Sequence, residues 1–288
     1  TQTVLEKQLG LTSLGILPVI GGATGNKVST RGPMKGQKFS RDTFVFDFPK
    51  STMAEACRSI RTNLLFLASE RSLQSLLITS AGPREGKTTT AISISTVMAQ
   101  SGTTVVLVDA DMRKPRLHGV FGVKGKVGLS SLLLGEASVE DVLVKTQIDN
   151  LWIIPSGPIP PNPSELLHGE RFKTVMGELK NRFGMVIYDS PPVGPVTDGA
   201  VIGGMTDGVV LVVKAGLTRL ETLARAVTAM RSVRANLLGA VLNGIELGRR
   251  GVGYYYYYYY YRHYGQYSQY YGDAEAAAAG ETKGDGPT

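Results

Sequence analysis

One cysteine, Cys57, occurs in 288 residues, which excludes an internal disulfide and any cysteine cluster able to hold a metal. Cys57 itself reads as a small buried hydrophobe on a helix, in a protein of a reducing compartment. No apolar run approaches the roughly 18 residues needed to cross a bilayer, and no basic-then-apolar leader opens the chain. Histidine is scarce: His118, His168 and His263 are scattered without metal-ligand spacing. The single tryptophan, Trp152, begins an apolar run and reads as core. Tyrosine is nearly missing from the body of the chain, where Tyr188 stands alone, although the sequence holds 13.

What is present supports one large core, since 42% of the residues are hydrophobic. The formal charge of +7 is uneven: the last sixteen residues carry −3 and the rest +10. A basic body of that kind suits nucleotides, anionic headgroups or acidic partners alike. The sequence opens on Thr1 rather than methionine, as a domain cut from a longer protein would, so any membrane part is expected upstream. Residues 4–20 read as a short helix and a strand, and the Gly, Ser, Thr and Lys-rich stretch to about residue 50 as a linker.

From Ser51 onward, apolar runs alternate with helical patterns. The runs SLLITS, TVVLVDAD, LWIIPSG, MVIYDS, GVVLVVKA and LLGAVLN are continuous in Val, Ile and Leu, as strands covered on both faces must be. Between them, Thr88 to Ser101 and Thr218 to Val233 have helical length and few breakers. The expected fold is α/β: a mostly parallel central sheet with helices on both faces. The expected organisation is an N-terminal segment and linker over 1–50, a globular α/β domain over 51–250, a tyrosine cluster over 251–272 and a disordered tail over 273–288. The cluster holds Tyr254, Tyr255, Tyr256, Tyr257, Tyr258, Tyr259, Tyr260 and Tyr261 in one block, then Tyr264, Tyr267, Tyr270 and Tyr271.

SLLITSAGPREGKTTTAISIS places a strand before, and a helix after, a phosphate-binding loop whose first glycine is replaced by Ala81. The backbone N–H groups of Gly82, Pro83's successors Arg84 and Glu85, and Gly86, together with the positive end of the following helix, would surround phosphates. Pro83 shapes the turn without a donor of its own. Lys87 would bridge the β- and γ-phosphates, Thr88 would offer its hydroxyl to Mg²⁺, and Thr89 closes the nucleotide-binding run. Two further apolar runs end in carboxylates: Asp109 and Asp111 after TVVLV, and Asp189 after MVIY. Ligands of an open parallel sheet sit beyond the C-terminal ends of its strands, so all three converge on whatever Lys87 and Thr88 hold. Mg²⁺ keeps several waters and needs only one or two carboxylates.

Taken together, these residues resemble the bacterial tyrosine kinases that regulate polysaccharide chain length and export. The phosphate loop is similar to that family's first nucleotide motif, LVDADMRKP to its Asp-x-Asp-x-Arg-x-Pro motif and MVIYDSPP to its second; PPNPSELL and the tyrosine cluster complete the set. The family belongs to P-loop ATPases related to those of division-site selection and chromosome partition. The resemblance implies an autokinase using ATP and Mg²⁺, with 1–50 as its juxtamembrane segment and linker and 51–250 as its P-loop tyrosine kinase domain. Asp109 would stand near the incoming tyrosine hydroxyl as base and near Mg²⁺, and Asp111 and Asp189 would complete the metal and water shell. Asn243, ending LLGAVLN, would touch the adenine; a strand-end Asn also serves as a turn residue. Glu55, Arg58 and Arg61 resemble the family's Glu-x-x-Arg-x-x-Arg subunit contact, and spacing of three winds such charges across one helix flank. The implied partners are neighbouring subunits in a ring-like homo-oligomer, a membrane activator domain upstream in the same protein and a phosphotyrosine phosphatase. No nucleic acid is expected as a partner, and the implied location is the cytoplasmic face of the bacterial inner membrane. The clustered tyrosines would be the acceptors.

Two other functions fit parts of this pattern. An ATP-driven switch of the partition class would share the fold, but that class carries an additional lysine near the start of its loop, where Ala81, Gly82 and Pro83 stand here. A nucleotide-gated scaffold of an export complex is compatible with kinase activity, and the aromatic block read alone also suits a sticky interaction segment.

Overall fold

The computed structural model describes residues 2–20, 40–67 and 72–246; the tyrosine cluster and the tail beyond it lie outside these residues. Among the described residues eight strands form one sheet: β1 (Ser13–Pro18), β2 (Ser75–Ser80), β3 (Val105–Asp109), β4 (Val144–Lys145), β5 (Leu151–Ile154), β6 (Met185–Asp189), β7 (Gly208–Lys214) and β8 (Leu237–Ile245). Their order is β1-β8-β7-β2-β6-β3-β5-β4. The pairs from β8 through β5 are parallel, and the two-residue β4 runs antiparallel to its neighbour β5. The fold class read from the sequence is the one observed.

Alternation along the strands builds two cores. Leu77, Val106, Val108, Val186, Tyr188, Val209 and Leu211 enter one face, packed by the helices Glu170–Arg182 and Leu220–Ser232. Leu76, Ile78, Val105, Leu107, Ile187, Val210 and Val212 enter the other, under the helices Thr52–Leu67 and Lys87–Ala99. Both sets are fully buried because every second side chain of a strand changes face. The helix Lys87–Ala99 is buried almost all round, since it lies between the sheet and Thr52–Leu67; Ser93, Ser95 and Ala91 keep it thin enough to fit. Cys57 is buried on Thr52–Leu67, and burial pushes its thiol up to about 12, so it is a packing residue.

Part of the stretch read as segment and linker is built into this body. β1 joins the sheet, with Ala240 N–H donating to Thr12 O at 2.8 Å, and Leu14 and Leu17 enter the second core. A short helix, Phe44–Asp47, buries Phe44 and Val45 there. The strand read within residues 4–20 is β1, whereas residues 44–47 fell in the stretch read as linker because two buried residues in so short a helix leave no periodic pattern. Among the described residues no helix is long and apolar enough to cross a membrane.

Candidate active site

β2, β6 and β3 lie side by side at the sheet's centre, and their C-terminal ends carry the loop 81–86, Asp189 and Asp109. Register makes the site: Ile78 pairs with Asp189, and Asp189 with Asp109 across the next ladder. The two carboxylates therefore leave adjacent strands at one level, beside the phosphate loop.

The loop is held in shape from beneath. Glu85 is buried and folds back, its Oε2 accepting from Ala81 N–H at 3.1 Å and its Oε1 from the Thr218 hydroxyl at 2.6 Å. Burial raises the Glu85 carboxyl, and the Thr218, Gly82 and Ala81 hydrogen bonds offset part of that. Its side chain is thus a brace, leaving the backbone N–H for a ligand. Ala81 has an ordinary negative φ, so this position has no need of a glycine. Gly86, which begins the helix Lys87–Ala99, does: φ is 94° and a Cβ there would collide with the Asn243 amide. That amide donates through Nδ2 to Glu85 O at 2.8 Å, clamping the loop from β8.

Lys87 Nζ lies 3.0 Å from Asp111 Oδ2, and Asp111 Oδ1 accepts from Lys114 N–H at 3.0 Å. Asp109 Oδ2 accepts from the N–H groups of Arg116 at 2.9 Å and Leu117 at 3.0 Å. Its other oxygen, Oδ1, is buried with no protein partner, and so is Oδ1 of Asp189. Burial raises both carboxyls; for Asp109 the two backbone donors oppose it, for Asp189 the Lys87 charge and the Thr88 hydroxyl do, and each aspartate's neighbours push it further up. Two hard, unpartnered oxygens beside Thr88 and Lys87 fit a divalent cation bound together with phosphate. Among the described residues no three His, Cys, Asp or Glu side chains group closely enough to hold a metal by themselves.

Three residues that sequence did not single out tie the site together. Asp42 accepts from the Thr89 hydroxyl at 2.5 Å and from the Arg116 guanidinium at 2.7 Å, so Thr89 is turned toward the N-terminal segment. Asp198, fully buried, accepts from Arg113 Nε at 2.8 Å and Nη2 at 3.1 Å and from the Ser164 hydroxyl. Burial alone would raise the Asp198 carboxyl, but the Arg113 and Ser164 hydrogen bonds outweigh it and the net shift is downward. The motifs DMRKP and PPNPSELL thus meet on one carboxylate. Thr218 is the third. Asp42 sits in a stretch without periodicity, Thr218 opens a segment read only as helical, and no local pattern marks Asp198.

Glu55 and Arg58 pair with each other on the helix Thr52–Leu67, and Arg58 also donates to Pro49 O at 2.8 Å. Arg61 turns inward instead, donating to Val97 O at 2.8 Å at the C-terminal end of Lys87–Ala99. There its charge complements the helix dipole.

A phosphate loop between the central strand and a buried helix, with carboxylates at the ends of two neighbouring parallel strands, defines a nucleotide-binding protein of the P-loop NTPase class. The family described as an AAA domain matches residues 83–241. The chain is 41% identical over 222 residues to the tyrosine-protein kinase YwqD of Bacillus subtilis, covering 77% of this chain and 94% of that one. It is 34% identical over 210 residues to the tyrosine-protein kinase Etk of Escherichia coli, covering 73% of this chain but 29% of that longer one. The kinase domain of Escherichia coli ETK superposes with a TM-score of 0.74 at 29% identity, over 86% of this chain and 94% of that domain. The chain belongs to the bacterial tyrosine-protein kinases, and it is a protein-tyrosine kinase of that type.

Proposed function

We propose that this kinase transfers the γ-phosphoryl group of Mg-ATP to tyrosines between Tyr254 and Tyr271 of a neighbouring copy, and that the phosphorylation state regulates polysaccharide polymerisation or export. The observation that carries the chemistry is the pair of unpartnered, buried carboxylate oxygens on Asp109 and Asp189 in register beside Lys87 and Thr88.

The backbone N–H groups from Gly82 to Thr88 receive the phosphates, and Lys87 leaves its Asp111 partner to bridge the β- and γ-phosphates. Bound Mg²⁺ would supply charge neutralisation to the leaving diphosphate, held by Thr88 and Asp189 with Asp109 close by. Asp109 accepts the proton of the tyrosine hydroxyl as its oxygen bonds to γ-phosphorus and the bond to the β,γ-bridging oxygen breaks, releasing ADP. An unperturbed tyrosine has a pKa near 10, so it needs such a base. The backbone donors of Arg116 and Leu117 fix Asp109 Oδ2, leaving Oδ1 for that work.

Self-association through the flank carrying Glu55, Arg58 and Arg61 would present a tail to the next subunit. From Gly253 to Tyr271 an extended chain reaches roughly 60 Å at about 3.3 Å per residue, enough to enter an adjacent site. Further partners in this reading are an activator at the cytoplasmic membrane face and a phosphatase to reset the tail. The test mixes a Lys87→Met chain bearing an intact tail with an active chain truncated after Gly253. Labelling of the inactive partner supports transfer between copies; none, in a mixture shown to associate, means each chain modifies only itself.

A further inference from the structure

Directly after Asp111 the chain runs from residue 112 to 135 with five cations and no acidic residue: Arg113, Lys114, Arg116, Lys124 and Lys126. The fold gathers them at the rim of the site. Arg116 and Leu117 are the backbone donors to Asp109, and the short helix Leu117–Val120 starts there. The following residues turn back on that helix: Val123 N–H donates to His118 O at 2.8 Å. Gly125 sits at φ 58°, so close that an added Cβ would lie 3.1 Å from the His118 Cβ. Lys124 and Lys126, either side of Gly125, are thereby brought beside His118, two residues from Arg116.

Two of the five charges are neutralised within the chain, Arg113 by Asp198 and Arg116 by Asp42. Lys114, Lys124 and Lys126 are exposed and enter no ion pair among the described residues. Three like charges on one folded-back stretch, without a counter-ion among the described residues, raise the local potential, and an anion arriving there relieves it.

The acceptor stretch from Tyr254 to Tyr271 contains twelve tyrosines, Arg262, His263 and no acid. Before phosphorylation it offers this rim no electrostatic attraction. Each phosphate then adds about −1.5 to −2 charges and three acceptor oxygens. We propose that Lys114, Lys124 and Lys126 form a docking site for tyrosines of the tail that are already phosphorylated. The inference rests on the proposed function, in that it takes the tail to be the acceptor. A newly formed phosphotyrosine is repelled by Asp109, Asp111 and Asp189 at the centre and drawn to the lysines at the rim. The tail thus stays engaged while the next tyrosine reaches Asp109, and a dense block of acceptors is phosphorylated in runs rather than one tyrosine per encounter.

The experiment uses the full chain, stripped of phosphate and kept without ATP, and synthetic peptides of residues 253–272 either unmodified or phosphorylated at Tyr264 and Tyr267. Anisotropy should show the doubly phosphorylated peptide binding about tenfold more tightly than the unmodified one, with the difference shrinking as salt screens it. Replacing Lys114, Lys124 and Lys126 together by glutamine should bring the two peptides within about twofold of each other. With Mg-ATP, the triple variant should add its first phosphate at a normal rate but accumulate singly phosphorylated chains where the parent passes on to multiply phosphorylated ones. Equal affinity of the parent for the two peptides, or an unchanged preference in the folded triple variant, overturns the proposal. So does lysine-dependent binding to phosphatidylglycerol vesicles without any preference for the phosphopeptide, which assigns the rim to a membrane surface. The salt dependence is read on the unaltered protein, so a variant that fails to fold leaves the test standing. If the parent with Mg-ATP never labels its tail, the function proposed above fails while the peptide measurement still reads the docking site.

Discussion

Gly86 offers the sharpest test of how the phosphate loop is held. It combines a left-handed φ of 94° with a Cβ direction occupied by the Asn243 amide. Gly86→Ala forces a non-glycine residue into the left-handed region, at about 1–2 kcal/mol. It also displaces Asn243 from Glu85 O, removing a hydrogen bond of about 1 kcal/mol. The total of about 2–3 kcal/mol corresponds to roughly 30- to 150-fold in affinity if all of it falls on the bound state. Whatever part the free loop cannot shed by relaxing will appear instead as a lower melting temperature. Asn243→Ala alone loses only the hydrogen bond, about fivefold. In the double variant the collision no longer exists, so its loss should be smaller than the two single losses combined. Titration with a fluorescent ADP analogue, alongside thermal melts, measures each. Wild-type affinity and melting in Gly86→Ala, or strict additivity in the double variant, would refute the reasoning.

Lys87→Met and Asp109→Asn should each reduce phosphotyrosine formation by orders of magnitude, with the double variant little worse than either, as read by anti-phosphotyrosine signal on purified chain. Asp198→Ala leaves Arg113 and Ser164 without their shared buried acceptor; because Arg113 is partly exposed, a loss of about 2–3 kcal/mol in urea-determined stability is expected, and Ser164→Ala in that background should cost almost nothing further. Burial raises the Glu85 carboxyl, so the folded chain holds its proton more tightly than the unfolded one; stability contributed by that proton is full below the unfolded value near 4.3 and is lost as pH rises through the folded one. Glu85→Gln should therefore flatten the fall in stability with rising pH above that value, and identical pH profiles would contradict it. Arg61→Ala should lower stability by about 1 kcal/mol through the lost contact with Val97 O, whatever it does to assembly, and light scattering of the Glu55, Arg58 and Arg61 triple alanine variant reports the assembly separately.

The sheet was legible because strands buried on both faces must be continuous in Val, Ile and Leu, and six such runs coincide with β2, β3, β5, β6, β7 and β8. The phosphate loop and the strand-end aspartates were legible for a related reason: their chemistry dictates residue type and place together. Asp42 and Asp198 were not, since a carboxylate's partners across the fold leave no local trace. Asp42 meets residues 47 and 74 positions away. Glu85 shows the same limit from within a motif, where spacing marks the loop yet says nothing of which side chains turn inward to brace it.

β1 occupies the sheet edge beside β8, although about 220 residues separate them in sequence. A ribosome adding about 5–20 residues per second leaves β1 without its neighbour for roughly 10–45 seconds after it emerges. Its Leu14 and Leu17, fully buried in the finished protein, must wait in the open through most of synthesis. β8, the last of the described strands, is therefore the one that closes the first, and a chain halted before Leu237 exposes an apolar strand for which the cell's holding chaperones have a ready use.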